Sequence, residues 1–361
     1  MRINQDSPVS IYVQLVQQFR ENILSGEWEP GTRLPSEIEL ARQHNISRGT
    51  VRRAMMELVN AQLIERVPGK GTYVVEPKVT AQALIGVVLP YNHDTLALDM
   101  LKGVEQAVKL RGYFTIYSGT NDNPHIEAQD VQAMRERGVA GLVIFPPSDV
   151  TTDPTILQMH NEGFPFVLID RYLIDVSTSY VVADNETGGY LATRHLIDLG
   201  HTRIGFATPA SQKTTSVRDR FHGYRRALTE AGVAYDDDLH YQYGSLMQTD
   251  YDDAPLVSYL THPRRPSAIF AMTDLLALRL LDVARRHHID VPGDLSIIGF
   301  DDLPQASVAA VPLTTIAQFG VEIGRRAGAI LINCINQNTT SVQQITIPVQ
   351  LKLRQSTAER G

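Results

Sequence analysis

Apolar residues near the start of the chain recur at helical spacing. From Pro8 onward, Ile11, Leu15, Val16, Phe19, Ile23 and Leu24 fall three and four apart, which predicts an amphipathic helix closing at Ser25-Gly26. Pro30-Gly31 reads as a turn. Ser36 and Glu39 have the spacing of a capping box, so a second helix is expected to begin there and run to about His44. After a break at Asn45-Ile46, Ser47 can cap a third helix whose inward stripe is Val51, Ala54 or Met55, and Leu58. The stretch "LIERVPGKGTYVV" then reads as two short strands around the basic tip Pro68 to Gly71. Two helices, a turn, a third helix and a basic hairpin make a winged helix-turn-helix, assigned to residues 1–75.

Residues 76–83 are expected to be a linker, and beyond them the period changes. Continuous apolar runs, "LIGVVLP", "FTIYSG", "GLVIFPP", "FPFVLID", "RIGFATP", "SAIFAM" and "LSIIGFDD", alternate with amphipathic helical stretches over residues 84–361. Runs buried on both faces predict parallel sheets in an α/β fold, and two sets of them predict two similar subdomains. The first is expected at about 84–184 plus 313–340, the second at about 185–312 plus 341–357. In open sheets of this kind ligands sit at the carboxyl ends of strands. Those ends carry Asp94, Phe145, Asp170-Arg171, Thr273-Asp274 and Asp301-Asp302. Carboxylates accept bonds from hydroxyls, guanidinium groups donate to oxygens and aromatics cover apolar sugar faces, so the set suits a polyhydroxylated ligand. An aspartate at such a junction also serves as a helix cap, as is expected of Asp274.

Charge changes the picture in one respect. The 361 residues carry a net charge of -7, yet residues 1–75 hold nine Lys and Arg against eight Asp and Glu. Arg48 and Arg52 stand four apart on the face opposite the third helix's inward stripe, and Arg53 projects from its flank. Such a helix can lie in the major groove, where an arginine fork meets guanine, with the hairpin against phosphates. Catalysis is not expected: the eleven histidines show no compact metal-ligand spacing, and there is no Gly-x-Ser-x-Gly elbow. "GKGT" lacks the full spacing of a phosphate-binding loop. One cysteine, Cys334, excludes an internal disulfide and reads as a small buried residue. No cofactor and no metal are expected. With no early apolar signal segment and no run long enough to cross a bilayer, a cytoplasmic location is expected.

Two resemblances sharpen these readings. "PGTRLPSEIELARQHNISRGTVRRAMMELVNAQLIERVPGKGTYV" resembles the DNA-binding domain of the GntR family of bacterial regulators. That likeness implies that Ser47, Arg48, Thr50 and Arg52 face DNA, with Gly69 and Lys70 on the wing. Arg33, Ser36 and Arg53 complete the candidate DNA-facing set. Ile38 departs from the family pattern, standing where many members carry an arginine, and Gln62 replaces the usual glycine. The motifs "NETGGYLATRHLIDLGHTRIGFATP", "SVRDRFHGYRRAL", "RPSAIFAMTDLLALRLLDVARR" and "VPGDLSIIGFDDLPQASVAAVPLTTIAQ" resemble the effector domain of LacI-type repressors, itself related to periplasmic sugar-binding proteins. This second likeness implies two Rossmann-like subdomains joined by three crossing strands. It also implies ligand-facing roles for Asp170, Arg220, Thr273 and Asp301, with Asp94 and Phe145 near the cleft.

The layout is similar to that of the arabinose repressors of Gram-positive bacteria. It implies a homodimeric repressor on pseudo-palindromic operator DNA, controlled by a small sugar such as a pentose or hexose. A non-sugar effector such as a purine, or a ligand acting as corepressor or activator, is the alternative. The helix "FGVEIGRRAGAILI" has glycines at 320, 324 and 328, a bare face expected either against its own sheet or against a partner.

Overall fold

The structure, a computed structural model, describes residues 10–24, 27–60, 63–75, 84–90, 95–209, 213–243, 253–337 and 341–360, which form two compact units. The expected turn at Ser25-Gly26, the position of Gln62, the linker 76–83 and Asp94 lie outside the described residues.

The N-terminal unit contains α1 (Ile11–Leu24), β1 (Arg33–Leu34), α2 (Glu37–His44), α3 (Arg48–Asn60), β2 (Ile64–Val67) and β3 (Gly71–Val74). The capping box forms: Ser36 Oγ accepts the Glu39 N–H at 3.3 Å while Glu39 Oε2 accepts the Ser36 N–H at 2.7 Å. Asn45, in the left-handed region at φ 53°, closes α2. Ser47 Oγ accepts the Thr50 N–H at 3.1 Å and starts α3. The hairpin is present, and the two-residue strand β1 adds to its β3 edge, pairing Arg33 with Tyr73. Leu15, Phe19, Leu40, Val51, Met55, Leu58 and Ile64 fill one core, and Trp28 meets Phe19 edge-on at 5.0 Å.

The α/β body begins with β4 (Leu84–Leu89), α4 (Thr95–Lys109), β5 (Phe114–Gly119), α5 (Pro124–Glu136), β6 (Gly141–Ile144), α6 (Pro154–Asn161), β7 (Phe166–Ile169) and β8 (Tyr180–Ala183). It continues through α7 (Asn185–Asp198), β9 (Ile204–Pro209), α8 (Thr215–Glu230), β10 (His240–Tyr243), α9 (Ala254–Thr261), β11 (Ala268–Ala271), α10 (Asp274–Arg286), β12 (Ser296–Ile298) and α11 (Pro304–Val308). It ends with β13 (Thr315–Ala317), α12 (Gly320–Gln337), β14 (Gln344–Ile347) and β15 (Gln350–Lys352).

One sheet has the order β14-β8-β7-β6-β4-β5 and the other β10-β9-β11-β12. Their pairings are parallel, as continuous apolar strands require. The chain passes between the two subdomains after β8, after β13 and after β14, which gives the three crossings that were expected. The expected boundaries shift at the last two. Thr315–Ala317 lies beside β12, through bridges Ile298↔Thr314 and Asp301↔Ala317, so it belongs to the second subdomain. Gln344–Ile347 pairs with Tyr180–Ala183 in the first, and the chain returns only at β15. A strand that leaves one sheet for another has the same apolar pattern throughout, so periodicity does not locate the switch.

The glycine face of α12 packs within its own subdomain, against α4 rather than against a partner. A Cβ on Gly324 would stand 1.9 Å from the Met100 carbonyl oxygen, and one on Gly103 2.1 Å from that of Val321. Two helix backbones approach this closely only through glycine.

Candidate functional site

The carboxyl ends of both parallel sheets converge on one cleft, and its chemistry starts with strained backbone. Asp170, directly after β7, has φ 63°, and Asp301 and Asp302, after β12, have φ 131° and 59°. Side chains rarely occupy this region, at a cost of roughly 1–3 kcal/mol each, and such strain gathers at functional sites. Here it turns two carboxylates toward the same space.

Arg220, on α8, is 3% exposed and held on four sides. Its Nε donates to Asn185 Oδ1 at 2.8 Å, and its Nη1 donates to the Met272 carbonyl at 2.6 Å. The same nitrogen lies 3.8 Å from Asp301 Oδ1, and the guanidinium stacks 3.7 Å from the centre of the Phe300 ring. Burial lowers its pKa against the pull of Asp301 and Asp170. Asp301 is further fixed by Gln318, whose Nε2 donates to Oδ1 at 2.5 Å. From the first subdomain, Arg171 lies 3.7 Å from Asp170 and 3.5 Å from Asp122, donates to the Pro146 carbonyl at 2.8 Å and covers Phe145 at 4.8 Å. Burial pushes the Asp170 carboxyl above its ordinary range, against the opposing fields of Arg171 and Arg220.

Among the described residues, three buried polar atoms of this cleft have no hydrogen-bond partner: Asp170 Oδ1, Arg171 Nε and Gln318 Oε1. Two accept and one donates. Buried polar groups are normally satisfied, so these atoms are set for a ligand that offers hydroxyl hydrogens and an oxygen.

Phe145, Asp170, Arg220 and Asp301 thus lie around the same cleft. Thr273 lies at the same strand edge, but its hydroxyl accepts the Leu276 N–H at 3.2 Å and is the N-cap of α10. The capping role expected of Asp274 therefore falls one residue earlier. Asp274 instead receives Thr315 Oγ1 at 2.5 Å and the Leu303 N–H at 2.8 Å, which ties α10 to the crossing strand. Burial lifts its pKa to about 6. Gln318 and Asn185 were not singled out from sequence; "TTIAQ" and "DNETGG" contain them without a spacing that marks them.

On the N-terminal unit, Ser47, Arg48, Arg52, Arg53, Gly69 and Lys70 are exposed and Thr50 is partly so. Ser47 and Thr50 join hydroxyls at 2.8 Å. Arg48 and Arg52 share the outer face of α3, whereas Arg53 stacks 4.0 Å from the Tyr12 ring on α1. The Ser36 hydroxyl is committed to its helix cap. Arg33 lies along the hairpin backbone, where a Cβ on Gly71 would come within 2.9 Å of its Nε. Glu37 holds Arg52 at 3.2 Å and Arg66 at 2.7 Å, so Arg66, on β2, joins the cationic face although the sequence pattern gave it no distinction. Ile38 is 44% exposed beside them.

Comparison with known proteins agrees with both halves. Residues 11–74 match the gntR family of bacterial regulatory proteins, and residues 193–357 match a periplasmic binding protein-like domain. An arabinose metabolism transcriptional repressor of Geobacillus stearothermophilus is 33% identical over 96% of this chain and 98% of its own length. Another, from Halalkalibacterium halodurans, is 31% identical over 95% of each. A solved complex of the transcriptional regulator CelR with cellobiose has a TM-score of 0.68 at 25% identity, covering 90% of this chain and 100% of that one. No described helix is long and apolar enough to cross a membrane. A winged module with a cationic helix face, joined to a two-subdomain body with a polar cleft, places this chain in the gntR family of bacterial DNA-binding transcriptional regulators, among repressors with a LacI-type effector domain.

Proposed function

We propose that the cleft takes a neutral sugar, with L-arabinose as the first candidate, and that sugar binding releases a homodimer from pseudo-palindromic operator DNA. The observation that carries this reading is the orphan trio Asp170 Oδ1, Arg171 Nε and Gln318 Oε1 in a charge-balanced site. Each cleft arginine already faces carboxylates, Arg220 at 3.8 Å from Asp301 and Arg171 at 3.5 Å from Asp122. Neither of these arginines, among the described residues, is left unopposed to attract a sugar phosphate or an acid. Hydrogen bonds to charged groups contribute about 1.5–3 kcal/mol each, enough for a small polyol to be held by a few of them. The two arabinose metabolism repressors named above support the candidate sugar.

The DNA-facing residues are Arg48 and Arg52, with Ser47 and Thr50 at the helix start and Gly69 and Lys70 on the wing. Arg33, Ser36 and Arg53 support that surface by holding it to the domain. A 13-residue α3 spans only a few base pairs, so two modules related by a two-fold axis supply an operator-length contact. Sedimentation of the full chain is expected to give a dimer.

Thermal unfolding with added ligands tests the effector. L-arabinose at about 100 times its dissociation constant stabilises by about 2.7 kcal/mol. For a body of this size that raises the midpoint by roughly 5–10 °C. A larger shift with arabinose 5-phosphate than with L-arabinose overturns the neutral-ligand reading. Asp170→Asn is expected to keep operator binding and to lose its release by the sugar.

A further inference from the structure

The start of α8 departs from the capping pattern of α5, α6 and α10. Asn123, Asp153 and Thr273 each cap their own helix, α5, α6 and α10. Thr214 occupies the N-cap position of α8 with extended backbone, yet its side chain makes no cap bond. The hydroxyl is used across the cleft. Asp149, in the loop after β6, donates its N–H to Thr214 Oγ1 at 3.0 Å, and Thr214 Oγ1 donates to Asp149 Oδ1 at 3.4 Å. Asp149 holds φ 63° to do so.

Thr215 repeats the arrangement one residue on. It accepts the Tyr172 N–H at 3.1 Å and donates to the Tyr172 carbonyl at 3.3 Å. The Tyr172 phenol then donates to Asp219 Oδ2 at 3.0 Å and accepts from Arg218 Nη2 at 2.7 Å. Arg218 is itself braced on Asp219 Oδ1 at 2.7 Å, and the Tyr172 ring is stacked on Tyr180 at 4.7 Å within the first subdomain. Burial, then Asp219, push the phenol up to about 12, so it remains a donor at any physiological pH. Thr214 and Thr215 are 5% and 4% exposed.

A threonine at an N-cap has its own helix's first-turn amides within reach, and capping them shifts an equilibrium by roughly 5-fold. We propose that Thr214 is a two-position hydroxyl, bridging to Asp149 when the cleft is closed and capping α8 when it is open, and that with the Tyr172–Arg218–Asp219 cluster it sets the open-to-closed balance on which effector affinity depends. These are positioning residues: their hydrogen bonds are committed to one another, and they act on the ligand through closure. A part of the protein that is closed only a fraction of the time binds correspondingly more weakly. The last step rests on the cleft being the effector site; the latch itself does not.

The test therefore measures closure without ligand. Spin labels are placed through Asn161→Cys on α6 and His222→Cys on α8, both exposed, in full-length protein carrying Cys334→Ser. Labelled chain is diluted with unlabelled chain so that each assembly carries one pair. Tyr172→Phe keeps the ring and removes the hydroxyl, and Thr214→Val keeps the shape. Tyr172→Phe is expected to raise the ratio of long- to short-distance populations roughly 10-fold, the effect of one to two hydrogen bonds, and Thr214→Val roughly 5-fold, because it removes the open-form cap together with the closed-form bridge. Thr214→Ser is expected to match the parent. Thr214→Asp, a stronger cap that also sets a carboxylate against Asp149, is expected to open the cleft furthest. Parent-like distance distributions in both Tyr172→Phe and Thr214→Val overturn the proposal. With L-arabinose as the probe, the two variants are expected to need more sugar to recover the short distance, in proportion to the fall in their closed fraction. A parent protein indifferent to L-arabinose counts against that sugar and leaves the ligand-free comparison as the test of the latch.

Discussion

Replacing Arg220 by alanine is expected to destabilise the α/β body before any ligand is added. The guanidinium is 3% exposed, serves Asn185 and Met272, and faces Asp301, whose side chain is 8% exposed. Removing one partner of a buried pair leaves the other charge uncompensated, at about 3–5 kcal/mol. The acceptors on Asn185 and Met272 add to that loss. Gln318, at 2.5 Å from Asp301, offsets part of it by continuing to donate. With roughly 2–4 °C per kcal/mol for a body of this size, the midpoint should fall by roughly 6–20 °C in scanning calorimetry without ligand. Arg220→Met combined with Asp301→Asn should recover part of the fall, because no buried charge is then left alone. A midpoint for Arg220→Ala within 2 °C of the parent would refute the assignment of Arg220 as a structural pillar of the site. The consequence for function is practical. Loss of sugar response in Arg220→Ala does not by itself identify a ligand contact, whereas the same loss in Asp170→Asn, an isosteric change at a residue whose own Oδ1 is one of the orphan atoms, does.

Three further outcomes are expected. Arg48→Ala and Arg52→Ala should each weaken operator binding by roughly 10-fold or more in fluorescence anisotropy, with the midpoint of unfolding unchanged, since both side chains are exposed and Glu37 keeps Arg66; unaltered affinity in both refutes their role. Burial, then Asp153, raise the Glu127 pKa to about 9 from an ordinary 4.5. Its contribution to stability is thus whole below about 4.5 and is lost as pH rises through about 9, so Glu127→Gln should flatten urea stability between pH 5 and 9 and stabilise at pH 8. His195 and His201, which hold the C-terminal segment at Thr357 and Ala358, have pKa values depressed chiefly by burial. Their contribution is whole above the ordinary histidine pKa and is lost as pH falls through the depressed values. His201→Asn should reduce the slope of stability against pH between 7 and 5, and an unchanged slope would show that the protonation is carried elsewhere.

What the sequence disclosed, and what it did not, follows from the range of the forces involved. The capping box at Ser36 and Glu39, the Ser47 cap and the stripe Val51–Met55–Leu58 are contacts within one or two turns, and a linear pattern records them. Parallel strands are legible for a related reason: burial on both faces writes a continuous apolar run wherever it occurs. Strand exchange between subdomains is not legible, because "QQITIPVQLKL" is equally apolar whichever sheet receives it. The cleft divides along the same line. Asp170 and Asp301 could be placed because strand ends converge on one edge, but the strain that aims them is a tertiary effect with no local signature. Gln318 and Asn185 matter only because Asp301 and Arg220 sit opposite them. Thr214 is the sharpest case. Its sequence position is that of an ordinary helix cap, and only the approach of Asp149 from a strand end 65 residues earlier diverts the hydroxyl across the cleft. A side chain with two competing partners, one local and one distant, is a natural element of a two-state protein. A linear pattern can mark only the local partner, and the distant one enters with the fold.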